Sequence, residues 1–298
     1  MSAILDAAID DLVLVNRPAQ IAILERVSGL LAGSPAVTDL LVRGSFASGD
    51  SDRLSDVDLV VGIHPPTFSE FVGAHHALAA TQLRAILPGW SDTIVPSMGG
   101  LGYVHLIEHD GKLCQLDLYL APADRIDHIG AVTRGRAIYT APYGGDRLPD
   151  GAAAAFVADR LAAAPTCEQL FVETLVLTWM IHKRILRGQQ FMAYAETHML
   201  HTAARSLIRT ALTPDRAQYG WYHLDTEIGR TPIGRWCLAQ LDALITSPPV
   251  PTMRSLAESL ERILTLARRT VPDMMAALGP ALDAYRYHLD LDLDLDLG

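Results

Sequence analysis

The chain has 298 residues, half of them apolar and 19% charged, with a formal net charge of −10. That length fits two modest domains or one large one, and that apolar share excludes global disorder. The acid excess argues against a broad grip on a phosphate backbone, which needs clustered Lys and Arg, so no extended nucleic acid is expected as a partner; a small cationic substrate remains compatible.

In chain order, residues 3–33 read as helix with a break near Pro18, and Gly33-Ser34-Pro35 ends that stretch. Val37 to Val42 is a short apolar strand leading to Gly44-Ser45, and Asp56 to Ile63 is a second strand after a polar loop. Residues 67–87 have the spacing of an amphipathic helix that stops before Pro88-Gly89. Residues 101–108 and 112–120 form a hairpin pattern around Asp110-Gly111, a dipeptide that tolerates the positive φ angles of a tight turn. Gly- and Pro-containing loops run from about 141 to 151, and helices are expected near 153–164, 167–187, 190–212, 232–246 and 252–286, with breaks that include Pro214, Gly229 and Pro272. The expected architecture is an α/β N-terminal domain with a small mixed β-sheet over 1–150 and an all-α helical-bundle domain over 151–288. The second domain is expected to close a substrate cleft, where ligand pockets concentrate. The tail 289–298 is a low-complexity Leu-Asp alternation to which no function is assigned.

Cys114, Cys167 and Cys237 show no metal-ligand spacing, and so sparse a set suits free thiols in a reducing compartment. No basic leader precedes the first apolar residues, and the run Leu175 to Ile181 is too short to span a bilayer. The expectation is a cytoplasmic protein without a membrane partner.

The stretch from Arg43 to Val61 carries the chemistry. Side chains alternate across a strand, so Asp56 and Asp58 project from one face, roughly 7 Å apart at Cα, while Val57, Leu59 and Val61 enter the core. Two carboxylates fixed on a buried strand are hard-oxygen ligands suited to magnesium, and phosphate-transfer chemistry uses two such ions about 3.5–4 Å apart. Gly44 lets the backbone approach an anion closely, and Ser45 adds a hydroxyl beside free N–H groups. A short helix beginning just after Ser45 would point its positive end at the same anion. In Leu113 to Leu120, Cys114, Leu116, Leu118 and Leu120 form the apolar face, and Gln115, Asp117 and Tyr119 face the other way. An aspartate in the middle of an otherwise apolar strand is costly unless paired or metal-bound, which makes Asp117 the natural partner of Asp56 and Asp58.

Gly44, Ser45, Ala47, Gly49, Asp52, Ser55, Asp56, Asp58 and Leu59, followed by a later strand aspartate, form a pattern that resembles the signature of the DNA-polymerase-β-like nucleotidyltransferases. Its form is similar to that of bacterial antibiotic-modifying members, the aminoglycoside adenylyltransferases and lincosamide nucleotidyltransferases. The resemblance is specific over about 44–63, fair at 112–120, and weaker at Trp179, Lys183, Arg187 and Gly188, which resemble the helical domain of the antibiotic adenylyltransferases. It implies that Asp56 and Asp58 hold magnesium, that Asp117 binds metal or takes the acceptor proton, and that Lys183 touches the triphosphate, with Arg187 on the same helix face. It further implies two Mg2+ ions, ATP as co-substrate, transfer of AMP to a hydroxyl of a small antibiotic, and compatibility with a homodimer. The alternatives are nucleotidyl transfer to a protein or RNA terminus and a non-catalytic nucleotidyltransferase-like partner of a toxin–antitoxin pair.

Other residues have simpler readings. Glu168 and Glu173 suit the early turns of a helix, where acids stabilise its dipole. His198 and His201 have a spacing that suits a metal but no third ligand, so packing or surface placement is favoured. His75 and His76 are adjacent, face different directions on a helix and read as structural. Trp221-Tyr222 would stack on a ligand or pack in the core.

Overall fold

The computed structural model describes residues 3–12, 18–95, 97–142 and 149–289; residues 290–298 of the Leu-Asp tail and much of the Gly/Pro loop before 151 lie outside the described residues. In order, the elements are α1 (Ala3–Leu12), α2 (Ile21–Ala32), β1 (Val37–Val42), α3 (Gly44–Ser48), β2 (Val57–Ile63), α4 (Phe68–Gln82), β3 (Trp90–Ser91), β4 (Leu101–His109), β5 (Lys112–Pro122), α5 (Ile126–Thr133) and β6 (Arg136–Thr140). They continue with α6 (Gly151–Ala162), α7 (Cys167–Leu186), α8 (Gln190–Leu212), α9 (Leu224–Ile228), α10 (Pro232–Ile245), α11 (Met253–Thr270), α12 (Pro272–Ala277) and α13 (Gly279–Leu289). The chain divides into two compact units, Met1–Ala163 and Ala164–Gly298. The first holds a mixed six-stranded sheet and the second is helical. The division falls after α6, which packs back on α4, with Phe156 edge-on to Phe68 at 6.1 Å between ring centroids.

The sheet order is β3-β4-β5-β2-β1-β6, with β2 and β5 parallel and every other neighbouring pair antiparallel. Alternation separates its two faces. Val57, Leu59 and Val61 of β2 and Leu116, Leu118 and Leu120 of β5 enter one core with Leu5 and Ile9 of α1, Leu24 and Val27 of α2, Val72 of α4 and Val157 of α6. On the opposite face Val60, Tyr119 and Ala121 pack under Ile126 and Ile129 of α5. Gly62 permits that cover, since a Cβ there would lie 2.8 Å from a side-chain carbon of Ile126. The helix therefore roofs the later half of β2 and leaves the earlier half, with Asp58, to other uses.

Tyr119 fixes the loop before β4. Its buried hydroxyl accepts from the Met98 N–H at 2.6 Å and the Gly100 N–H at 3.1 Å. Tyr119→Phe leaves both donors without that acceptor and is expected to cost about 1–3 kcal/mol, read as a lower urea midpoint at unchanged slope.

The helix expected over 67–87 ends at Gln82; Arg84 takes a left-handed φ of 57°, and Ala85 forms a bridge to Ile107. The β4–β5 hairpin turns at Asp110 and Gly111, with φ of 51° and 74°, as its dipeptide predicts. In the second unit, α7 and α8 pack along each other and α11 packs against both. Thr166 and Gln169 form a capping box at the start of α7. Arg209, fully buried on α8, donates to the carbonyls of Arg216, Gly220 and Tyr222 and to Glu227, so one guanidinium organises the 214–228 segment. Among the described residues, no helix is long and apolar enough to cross a membrane.

Candidate active site

The parallel register of β2 and β5 pairs Asp58 with Asp117. Paired residues on neighbouring strands point to the same face, about 4.8 Å apart, so the two carboxylates lie side by side on the part of the α5-bearing face that the helix leaves uncovered. Asp56 is the last residue before β2, and strand alternation carried one residue back from Val57 aligns it with Asp58. All three acids are half-buried.

Gly44 adjoins this pair. It has φ of +64°, and a Cβ built on it would lie 2.3 Å from Oδ2 of Asp58 and 3.0 Å from its Cγ. Only glycine brings the backbone that near the carboxylate. Gly44 starts the short α3, so its N–H and that of Ser45 have no partner inside the helix. Ser45 is half-buried beside it.

The other residues of the motif have structural explanations. Gly49 ends α3 with φ of +85°, its N–H donating to the Ser45 carbonyl. Asp52 Oδ1 accepts from the Leu54 N–H at 2.8 Å and from the Ser55 hydroxyl at 3.1 Å, while the Asp52 N–H donates to Ser55 Oγ at 2.8 Å. Gln20 on the approach to α2 donates to the Arg53 carbonyl at 2.6 Å. The loop is thus tied internally and to the helical layer, and it delivers Asp56 to the start of β2 at a fixed position.

Two neighbours tune the acids. An Arg43 guanidinium nitrogen lies 3.4 Å from Asp58 Oδ1, with side-chain exposures of 11% and 20%, so the pair is only partly screened by water. Gln115, buried on the same face of β5, donates from Nε2 to Asp117 Oδ1 at 2.8 Å. Like charges directly opposite on paired strands repel, and Arg43 and Gln115 offset part of that repulsion here. The donor set is carboxylate oxygen beside bare backbone, which fits a hard divalent ion such as magnesium.

Sequence reasoning finds the acids and the glycine but does not find Gln115 as the partner of Asp117, because an i, i+2 contact appears only once the strand is known. Lys183 and Arg187 lie on the second unit. Lys183 is buried on α7, 1% exposed, with its ammonium 5.8 Å from the Trp179 ring centroid, so it is not a solvated surface charge; Arg187 ends the helix and is half-buried. Glu168 is exposed in the first turn of α7, as a dipole-stabilising acid would be. Trp221 and Tyr222 are exposed, with the Arg205 guanidinium 5.2 Å from the Trp221 ring centroid.

No family model matches the chain, and no curated protein matches it. Among solved structures it is similar to a nucleotidyltransferase-like protein from Exiguobacterium sibiricum 255-15, at 12% identity over 87% of this chain and 76% of that chain, with a TM-score of 0.21. A likeness at that score leaves the assignment to the residues of this chain.

Proposed function

We propose that the chain is a metal-dependent nucleotidyltransferase that moves AMP from ATP to a hydroxyl of a small acceptor, an aminoglycoside or a lincosamide first. The observation that carries this reading is the pairing of Asp58 with Asp117 beside the Cβ-free backbone of Gly44. Asp56, Asp58 and Asp117 would hold magnesium, which when bound supplies positive charge to the phosphates and to the attacking oxygen.

The residues of the chain divide the remaining work. Gly44 and Ser45 offer N–H groups and a hydroxyl to the phosphate oxygens. Asp117, oriented by Gln115, accepts the proton of the acceptor hydroxyl. That oxygen then forms a bond to the α-phosphorus as the bond from the α-phosphorus to the bridging oxygen breaks, and pyrophosphate departs with the bonding pair. Arg43 balances charge beside Asp58. Positioning and electrostatics, rather than a covalent enzyme intermediate, carry the rate enhancement.

Pyrophosphate release with Mg-ATP across aminoglycosides and lincosamides tests the reading, with Asp56→Ala/Asp58→Ala protein as control. Release that requires one drug class and vanishes in the control is the expected result. Equal silence of wild type and control across both classes would remove the antibiotic as acceptor, and transfer to a protein or RNA terminus would become the next substrate class to assay.

A further inference from the structure

His75 and His76 on α4 meet His105 on β4, thirty residues away, and all three offer a ligand nitrogen within 4.8 Å of the others. The expectation that His75 and His76 face apart on their helix does not hold. Their rings lie 3.8 Å apart between centroids, and His105 sits 5.6 and 5.7 Å from them. His105 pairs with Leu116 across the sheet, so it shares the helix-covered face, opposite the face that bears Asp58 and Asp117. The cluster is therefore separate from the acid site.

The protonation pattern is that of ligands. His75 Nδ1 lies 2.6 Å from the Val72 carbonyl oxygen and must donate to it, which leaves the Nε2 lone pair facing inward. That Nε2 is buried and has no hydrogen-bond partner among the described residues. A ligating histidine commonly has this arrangement, with one ring nitrogen anchored to a carbonyl and the other turned to the metal. His105 is 0% exposed, and neither of its ring nitrogens has a hydrogen-bond partner among the described residues. Buried polar atoms are nearly always satisfied, so three such nitrogens in one cluster call for an occupant. Burial lowers the pKa of His75 to about 4 and that of His105 to about 3; the His76 ring lowers His75 further, the His75 and His76 rings lower His105 further, and Arg160 on α6 adds to the effect at His75 and His76.

The local chain is shaped around the rings. A Cβ at Gly89 would lie 2.3 Å from Cε1 of His105, 2.8 Å from its Nδ1 and 2.9 Å from Nδ1 of His76, so the backbone passes directly over both. Tyr103, buried beside them at 4.0 Å from His75 between centroids, closes one side. His76 is exposed and opens the cluster to water.

We propose that His75, His76 and His105 form a binding site for a borderline divalent transition metal, zinc first, with a water molecule completing the coordination. Imidazole nitrogen suits zinc, copper and nickel and is a poor donor for magnesium, so the chain would sort two metals by donor type: nitrogen here, carboxylate oxygen on the other sheet face. Zinc holds nitrogen at about 2.0–2.1 Å, so tetrahedral ligands stand roughly 3.3 Å apart and the rings must close slightly on the ion. The exposed His76 ring has the freedom to make that movement. A bound ion would fasten α4 and the segment through Gly89 to β4.

Metal-free protein without a histidine tag, titrated with Co2+, tests the site. Wild type is expected to bind one equivalent that carries the intense visible absorption of a low-coordinate cobalt centre, distinct from the weak absorption of six-coordinate Co2+ on carboxylates, and Zn2+ is expected to displace it and raise the melting temperature. His76→Ala changes an exposed residue and should fold normally, as far-UV circular dichroism will show, while weakening Co2+ binding at least a hundredfold. Asp58→Asn should bind Co2+ as wild type does. Absence of the absorption in wild type, its persistence in His76→Ala, or its loss in Asp58→Asn alone would each overturn the proposal.

Discussion

Asp58→Asn is expected to lower nucleotidyl transfer roughly a thousandfold, about 4 kcal/mol of barrier, with little change in stability. The substitution preserves the volume of the side chain and removes a charge that sits between Arg43 at 3.4 Å and Asp117 on the paired strand. Losing the Arg43 attraction destabilises, and losing the repulsion from Asp117 stabilises; the two changes oppose each other. The thermal midpoint is therefore expected to stay within a few degrees of wild type, equivalent to about 1 kcal/mol. A steady-state assay beside a thermal melt separates the outcomes. If activity and melting temperature fell together, Asp58 would be a structural residue and the functional reading would fail at its central position.

Gly44→Ala is expected to damage both stability and activity, and Gly49→Ala only stability. Both glycines have positive φ, +64° and +85°, and a non-glycine residue there costs about 1–2 kcal/mol. At Gly49 a Cβ meets nothing within 4 Å, so the backbone term is the whole effect. At Gly44 it meets the Asp58 carboxylate at 2.3 Å, and the carboxylate must move. Overpacking of that kind adds about 1–3 kcal/mol, and an ångström of misplacement at a reacting centre costs on the order of a hundredfold in rate. Equal activity in the two variants would show that the approach of Gly44 to Asp58 does not matter for catalysis.

The sequence showed the sheet interior more clearly than its margins. β1 follows from a short apolar run, β2 and the β4–β5 hairpin from strand patterns bounded by turn residues, and the Asp58–Asp117 face from side-chain alternation along β2 and β5. β6 has one buried residue, Ile138, in five, so no alternating pattern marks it. α5 has eight residues and buries two, Ile126 and Ile129, too few to show a helical period. α6 reads as helix from sequence, but its assignment to the first unit rests on its packing against α4, which composition cannot show. The Asp52–Ser55 tie gives a physical reason for two motif positions that resemblance alone leaves unexplained. His105 escaped notice because the residues that meet it are thirty positions away, and adjacent histidines on a helix do not by themselves suggest a shared target.

Calorimetric titration of Mg-ATP into wild-type protein and into Asp58→Asn/Asp117→Asn protein tests the central claim most directly. The account predicts saturable binding by wild type that requires the divalent ion and is lost in the double variant while its fold, read by circular dichroism, is retained. Binding of equal strength in the folded double variant, or none in wild type, would contradict it.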